Sequence, residues 1–294
     1  MATGEVLSST LGDALPEMIG KARLVREFVG VWMRTTEQHK QIEGTGMTWT
    51  EHSINQLDAQ DIQETGRNEN WQQFAGTILK VEPQMTQVVI KITDRTYRKI
   101  AKVVSGAFGP LAGNSMARKK DEDYLALFAS FSTGASPGAG NPMSHGYIAA
   151  AKNRTTSNRI EPSNGNVFTV LRGEQIYDVQ QELLAGVGTY TVPVGLTEAT
   201  FRSGFQGTVA GSNVFEDGNI AVGVSGAQDM RGATHAREGV LAIAGMAIKT
   251  EKDRDIFFGG GADVISMVDE YGFAERSAGN WCYQHLSDGT PPTS

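Results

Sequence analysis

From residue 114 the chain reads NSMARKKDEDYLALFASFS, and only the second half carries an apolar stripe. Tyr124, Leu127, Phe128 and Phe131 stand at relative positions 0, 3, 4 and 7, the spacing of one face of a helix. The first half is a block of charge, Arg118, Lys119 and Lys120 followed by Asp121, Glu122 and Asp123, with little besides Met116 and Ala117 to bury. The pattern predicts one helix whose second half is buried and whose first half faces water or a partner. Upstream, residues 93–106 open on a Thr/Asp start signal and also read as helix. Gly109 and Pro110 then restart the chain into a second helix over 111–132, about 33 Å long at ~1.5 Å per residue.

Earlier in the chain the period changes. Residues 1–20 carry few large apolar side chains and predict an arm that orders only on a neighbour. Leu24, Phe28 and Val31 place a short helix within residues 21–33. Two β-prone runs follow, GTGMTWTEHS and GTILKVEPQMTQVVIKIT, separated by a polar stretch over 54–75. Val81, Met85, Val88, Ile90 and Ile92 alternate imperfectly with polar residues, so residues 44–92 read as a long hairpin with one wet face and a bend at Pro83. Such a hairpin has little core of its own and needs something to lie on.

Beyond residue 132 the stretch STGASPGAGNP marks a boundary and reads as a flexible hinge. A short helix over 145–152, a strand NVFTVL, a helix over 173–184 and Gly-punctuated strands through Ile220 indicate a second, α+β domain. The run from Gly239 to Arg276 predicts two long strands joined at 259–261. The domain reading is an arm over 1–43, a hairpin over 44–92, one domain from 93–133 with 240–276, and another from 134–239 with 277–294.

The 294 residues are enough for a large core. Glycine is abundant, 35 residues or about 12% against a usual ~7%, which favours turns and strands. The net charge of -7 excludes a broad phosphate-gripping face. A single cysteine, Cys282, excludes an intramolecular disulfide framework and a thiolate-rich metal site. Neither a signal-peptide pattern nor an apolar run of membrane-spanning length is visible, so a soluble, cytoplasmic chain with no membrane association is expected.

Chemistry is sparse. The histidines His39, His52, His145, His235 and His285 are scattered and read as surface or locally hydrogen-bonded groups. No nucleophile elbow, P-loop or EF-hand loop occurs. Catalytic residues, cofactors and metals are therefore all expected to be absent. The one enzymatic alternative is a site assembled from dispersed carboxylates such as Asp253, Asp255 and Glu270.

Charge is distributed unevenly. Residues 37–82 hold eight acids against three bases, a net of -5, whereas residues 91–120 hold eight bases against one acid, a net of +7. Opposite potentials steer association and penalise wrong registers, so an acidic hairpin and a basic helix invite contact, within one subunit or between copies. Aromatics on a projecting element point the same way. The candidate assembly residues on the hairpin are Trp49, Glu64, Arg67, Glu69, Trp71 and Phe74. On the helical segment they are Arg98, Lys102, Arg118, Lys119 and Lys120, with Asp121, Glu122 and Asp123.

The order of these elements resembles the major capsid protein of tailed bacteriophages, the Hong Kong 97 fold shared with encapsulins. The resemblance is carried by LAGNSMARKKDEDYLALFASF for a spine helix, GEQIYDVQQELLA for an axial-domain helix, FQGTVAGSNVFEDG for an axial strand and turn, and AIKTEKDRD through VISMVDEYGFAERSAGN for peripheral-domain strands. It implies an α+β fold with an N-terminal arm, an extended loop, a peripheral domain and an axial domain. It also implies a shell subunit, not an enzyme, that assembles with itself into pentamers and hexamers of an icosahedral capsid around double-stranded DNA, without sequence-specific binding. In the family the extended loop lies across the neighbouring subunit's peripheral domain. Some relatives crosslink there, but Lys40 and Lys80 are the only lysines near this loop and neither is marked as reactive. Further expected partners are a portal, a decoration protein and, since no long internal scaffolding segment is visible, a separate scaffolding protein. The implied location is the virion, assembled in the host cytoplasm. An encapsulin-like compartment loading a cargo enzyme is the alternative within the same fold.

Overall fold

The computed structural model describes residues 30–42, 44, 46–54, 57–62, 64, 66–67, 71–73, 76–95, 103–158, 165–186, 207–226, 228–257, 261–276 and 280–290. A single helical turn, α1 (Trp32–Thr35), leads into strand β1 (Glu37–Lys40). Strands β2 (Trp49–Ile54) and β3 (Gly76–Val81) pair antiparallel with each other, from Trp49 opposite Val81 to Ile54 opposite Gly76. Val31 is buried just before α1, whereas Leu24, Phe28 and most of the helix expected within residues 21–33 lie outside the described residues.

The chain turns at Pro83, and β4 (Gln84–Thr93) leaves the hairpin. It pairs antiparallel with β11 (Ala262–Glu275), from Gln84 opposite Tyr271 to Thr93 opposite Ala262. Residues 84–92, expected in the hairpin, thus belong to the first large sheet. The reason is visible in the alternation of β4. Val88, Ile90 and Ile92 form a half-buried to buried face, while Met85, Gln87, Val89 and Lys91 are exposed, so register is set by one buried face.

The other edge of β11 is lined by β10 (Lys249–Asp255) and β9 (Val240–Ala244), both antiparallel to it, and β1 runs parallel to β9. The first of the two long strands expected between 239 and 276 is therefore interrupted. Residues 245–248 stand opposite only Asp269 and Glu270, and the Gly245 N–H still reaches the Glu270 carbonyl at 2.8 Å. Strand β10 is almost wholly charged and exposed, a composition that discourages pairing with a further strand at this edge.

Helix α2 (Val103–Ala126) lies on this sheet, with Ala112 and Met116 packed against Met267, Val88, Ile90 and Ile265. Its 24 residues span about 36 Å at ~1.5 Å per residue. Pro110, expected to restart the chain, sits inside the helix, where it forgoes one backbone hydrogen bond. The apolar contacts of Ala112 and Met116 just beyond it hold the helix to the sheet. The last turn, Leu127–Ser130, tightens to a 3-10 helix, and this rotates Leu127 to a half-buried position while Tyr124, Phe128 and Phe131 remain in the main core.

The second sheet is ordered β12 (Cys282–Asp288), β8 (Asp229–Ala236), β5 (Val167–Leu171), β7 (Ser212–Glu216) and β6 (Thr208–Val209). Helices α3 (His145–Thr156) and α4 (Gly173–Gly186) pack on it through Ile148, Ile176 and Val179, with Leu171 and Val214 beneath. The stretch read as a flexible hinge is instead laid along this sheet. Gly138 N–H donates to the Leu286 carbonyl at 3.0 Å, Asp288 N–H to the Asn141 carbonyl at 2.8 Å, and Gly140 N–H to Asp229 Oδ1 at 2.9 Å. Gly138 and Gly140 hold φ of +89° and +72°, angles that favour glycine.

Candidate assembly surface

The β2–β3 hairpin is joined to the body at its base by two dissimilar contacts. The first is apolar: Trp49, Leu79 and Val81 pack with Leu241, Ile243 and Ala274. The second is ionic. Arg276 donates to Glu51 of β2 through Nη2 and Nε, at 2.9 and 3.1 Å, to the Glu238 carbonyl at 3.1 Å, and to Glu37 of β1. Burial would raise the Glu37 carboxyl, but the hydrogen bonds from Arg276 and His39 outweigh it and hold the pKa below the usual range. Trp49, expected to face a partner, is thus part of the hairpin's own joint, since its position in β2 is directly opposite Val81.

Away from the joint the hairpin is exposed. In β2 the residues Thr50, His52, Ser53 and Ile54 all face solvent, and in β3 so do Thr77, Ile78 and Lys80. Farther out, the Asp58 N–H donates to Gln72 Oε1 at 2.8 Å and Gln72 Nε2 donates back to the Asp58 carbonyl, so one side-chain amide replaces a strand partner. Leu57, Ile62 and Trp71 are exposed here, Trp71 at 89%. Glu64 and Arg67 are exposed as well, whereas Glu69 and Phe74 lie outside the described residues. Exposed apolar side chains grouped in this way are what interaction surfaces commonly carry.

The charged half of α2 divides between solvent and core. Arg118 pairs with Glu122 at 3.5 Å and Lys119 pairs with Asp123, both one turn along the helix and both largely exposed. Lys120 instead turns inward to Asp269 of β11, its Nζ 2.5 Å from Oδ2 and within 5.8 and 5.1 Å of the Trp32 and Tyr271 ring centres. Tyr271 in turn donates to Asp123 Oδ2 at 2.7 Å. Asp121 is fully buried and accepts from Asn219 Nδ2 at 2.8 Å. The expectation that all six residues from Arg118 to Asp123 meet a neighbour is therefore corrected. Lys120 and Asp121 belong to the fold, Asp123 braces it, and Arg118, Lys119 and Glu122 remain on the surface. A signal for this was present, because Asp121 precedes Tyr124 and Leu125 by three and four residues and so falls on their stripe. Arg98 and Lys102 lie outside the described residues.

Two of the histidines read as surface or locally hydrogen-bonded groups are hydrogen-bonded in the interior. His235 and His285 are wholly buried. Their Nδ1 atoms stand 3.0 and 2.9 Å from the carbonyls of Ala236 and Ala135, which fixes them as donors there and leaves each Nε2 to accept from Tyr124 Oη at 2.6 Å or Thr234 Oγ1 at 2.7 Å. Burial lowers both pKa values to about 4, so both rings are neutral.

The dispersed carboxylates do not converge. Asp253 and Asp255 stand opposite Val264 and Ala262 on β11, and Glu270 lies six and eight residues farther along it, about 20 Å or more at ~3.3 Å per residue. Asp255 is taken by Lys91 at 2.5 Å. Among the described residues no cluster of His, Cys, Asp or Glu could hold a metal ion, and no helix is long and apolar enough to cross a membrane.

No family model matches the chain, and no curated protein matches it. Solved structures do. The capsid of Ralstonia phage GP4 is 10% identical, with a TM-score of 0.70 over 93% of this chain and 95% of that one. The head of Helicobacter pylori bacteriophage KHP40 is 11% identical, with a TM-score of 0.68 over 92% and 94%. The capsid of cyanophage Pam1 is 10% identical, with a TM-score of 0.65 over 99% and 100%. The long helix crossing a sheet, the projecting hairpin and the second five-stranded sheet are thus arranged as in phage capsid subunits, and the chain has the Hong Kong 97-type α+β fold.

Proposed function

We propose that this chain is the major capsid protein of a tailed bacteriophage, building the pentamers and hexamers of an icosahedral shell that encloses double-stranded DNA. One observation carries the reading: a hairpin anchored, among the described residues, at its base holds Leu57, Ile62 and Trp71 out in solvent, in a chain whose fold agrees with phage capsid structures over nearly its whole length. In a closed shell each copy repeats the same contacts, so such a limb is covered by its neighbour. The sheet of β4, β9, β10 and β11 with α2 serves as peripheral domain, and the sheet of β5 to β8 with β12 as axial domain. The exposed Arg118, Lys119 and Glu122, with Glu64, Arg67 and Trp71, serve as intersubunit contacts. A portal, a separate scaffolding protein and a decoration protein are the further partners in this reading, with assembly in the host cytoplasm. The test is coexpression with the scaffolding protein and electron microscopy of the product. Closed particles are expected, and Trp71→Ala is expected to yield folded subunits with few particles. A chain that stays monomeric under every assembly condition overturns the reading.

A further inference from the structure

Where the described chain begins, it is held by two acids. Asp121 of α2 and Asp217, just after β7, are both fully buried. Gly30 lies so close to Asp121 that a methyl group built on it would stand 2.0 Å from Oδ1. The Val31 N–H donates to Asp217 Oδ2 at 3.4 Å, the Asn219 N–H to Asp217 Oδ1 at 2.9 Å, and Asn219 Nδ2 to Asp121 Oδ2 at 2.8 Å. Asp121 Oδ1 is buried and accepts from no other donor among the described residues.

Among the described residues no cation is bonded to either acid: Arg172 is held by Glu174 and the Ile220 carbonyl, at 3.0 and 2.6 Å, and Arg231 lines a pocket with Asn219 and Ile220 without a hydrogen bond to either carboxyl. On α2, Lys120 is turned to Asp269, Glu122 faces Arg118, and Tyr124 exchanges hydrogen bonds with Thr35 and His235. In residues 30–36 the only ionisable side chain is Arg34, which is exposed, and Glu216 beside Asp217 is exposed too. Behind them His235 and Cys282 are uncharged, the thiol pKa raised by burial. Two adjoining carboxyls buried without a cation cannot both ionise at ordinary cost.

We propose that Asp121 and Asp217 share a single proton that latches residues 30–36 to the body, and that loss of this proton unseats them. With the proton present, the O–H of one carboxyl donates to the other and fills the empty valence of Asp121 Oδ1. Without it, two negative charges face each other beneath Gly30, and the Val31 amide loses its seat. Burial first, and then the charge of Asp121, push the pKa of Asp217 up to about 8. The sign follows: the seated state holds a proton that the open state gives up from the ordinary range near 3.8. The proton's contribution to seating is therefore whole below about 3.8, falls as pH rises from there to about 8, and changes no further above that.

Amide hydrogen exchange on the full-length chain tests this, with rates corrected for base catalysis. Between pH 7 and 9.5 the protection of residues 31–36 is expected to fall about tenfold relative to that of β12, since seating weakens about tenfold per pH unit up to the raised pKa of Asp217 and levels off above it. In Asp217→Asn an amide N–H donates to Asp121 at every pH, and the profile is expected to be flat. Asp121→Asn serves the same purpose should Asp217→Asn not fold. Unchanged protection of residues 31–36 at pH 9.5, equal loss in β12, or a wild-type transition surviving in the variants would each overturn the latch.

Discussion

Lys119 and Lys120 are adjacent and chemically identical, yet the structure gives them opposite consequences. Replacing each with methionine keeps most of the side-chain volume and removes only the charge. The Lys119 side chain is 49% exposed and its partner Asp123 36% exposed. Asp123 also keeps the hydrogen bond from Tyr271. An exposed pair of this kind is worth about 0–1 kcal/mol. The Lys120 side chain is only 15% exposed and Asp269 only 2%, so Lys120→Met strands a buried carboxylate. That costs about 3–5 kcal/mol, and the lost attraction to the Trp32 and Tyr271 rings adds about 0.5–1 kcal/mol. Urea denaturation of the isolated subunit, read by tryptophan fluorescence, is the assay. Lys119→Met is expected to leave the midpoint within error, and Lys120→Met to lower it by the equivalent of about 4 kcal/mol with the slope unchanged. Equal shifts for the two variants, or none for Lys120→Met, would refute the division of the charged block into surface and core.

Arg276→Gln removes the ionic half of the hairpin joint. With its carboxylate partners partly exposed, the loss is about 2 kcal/mol, so amides of β2 are expected to exchange roughly thirtyfold faster while those of β12 do not change. Exchange that is uniform across the molecule would mean that Arg276 supports the body and not the hairpin. His235 and His285 have folded pKa values of about 4 against 6.5 in the unfolded chain. The stability each contributes is whole above pH 6.5 and is lost as pH falls towards 4, on the order of 3 kcal/mol per ring. Asp217 acts in the opposite sense over part of that range, because its raised pKa makes the folded state bind the extra proton. Imidazole NMR titration is expected to show neither ring protonating above pH 5, and a normal titration near 6.5 would count against their burial.

The sequence by itself determined the local elements and their order. The stripe through Tyr124, Phe128 and Phe131, the alternation in β4, the turn signal before Gly261 and the paucity of core between residues 49 and 81 are all properties of near neighbours in the chain, set by helical and strand periodicity. Tertiary structure decided where those faces end. Pro83 turned β4 away from the hairpin because β11 offered its apolar face a long partner. Pro110 stayed inside α2 because Met116 had a sheet to bury against. The charged block was split because successive helical residues point about 100° apart, and only the positions of Asp269 and Asn219, distant in sequence, decide which directions are inside. The same holds for Trp49, Arg276 and the pair Asp121 and Asp217, whose roles depend on contacts across roughly 100 to 240 residues of chain. A charge reads as solvated until a distant residue supplies the partner that makes its burial affordable. That partner is chosen by packing, which no local pattern records.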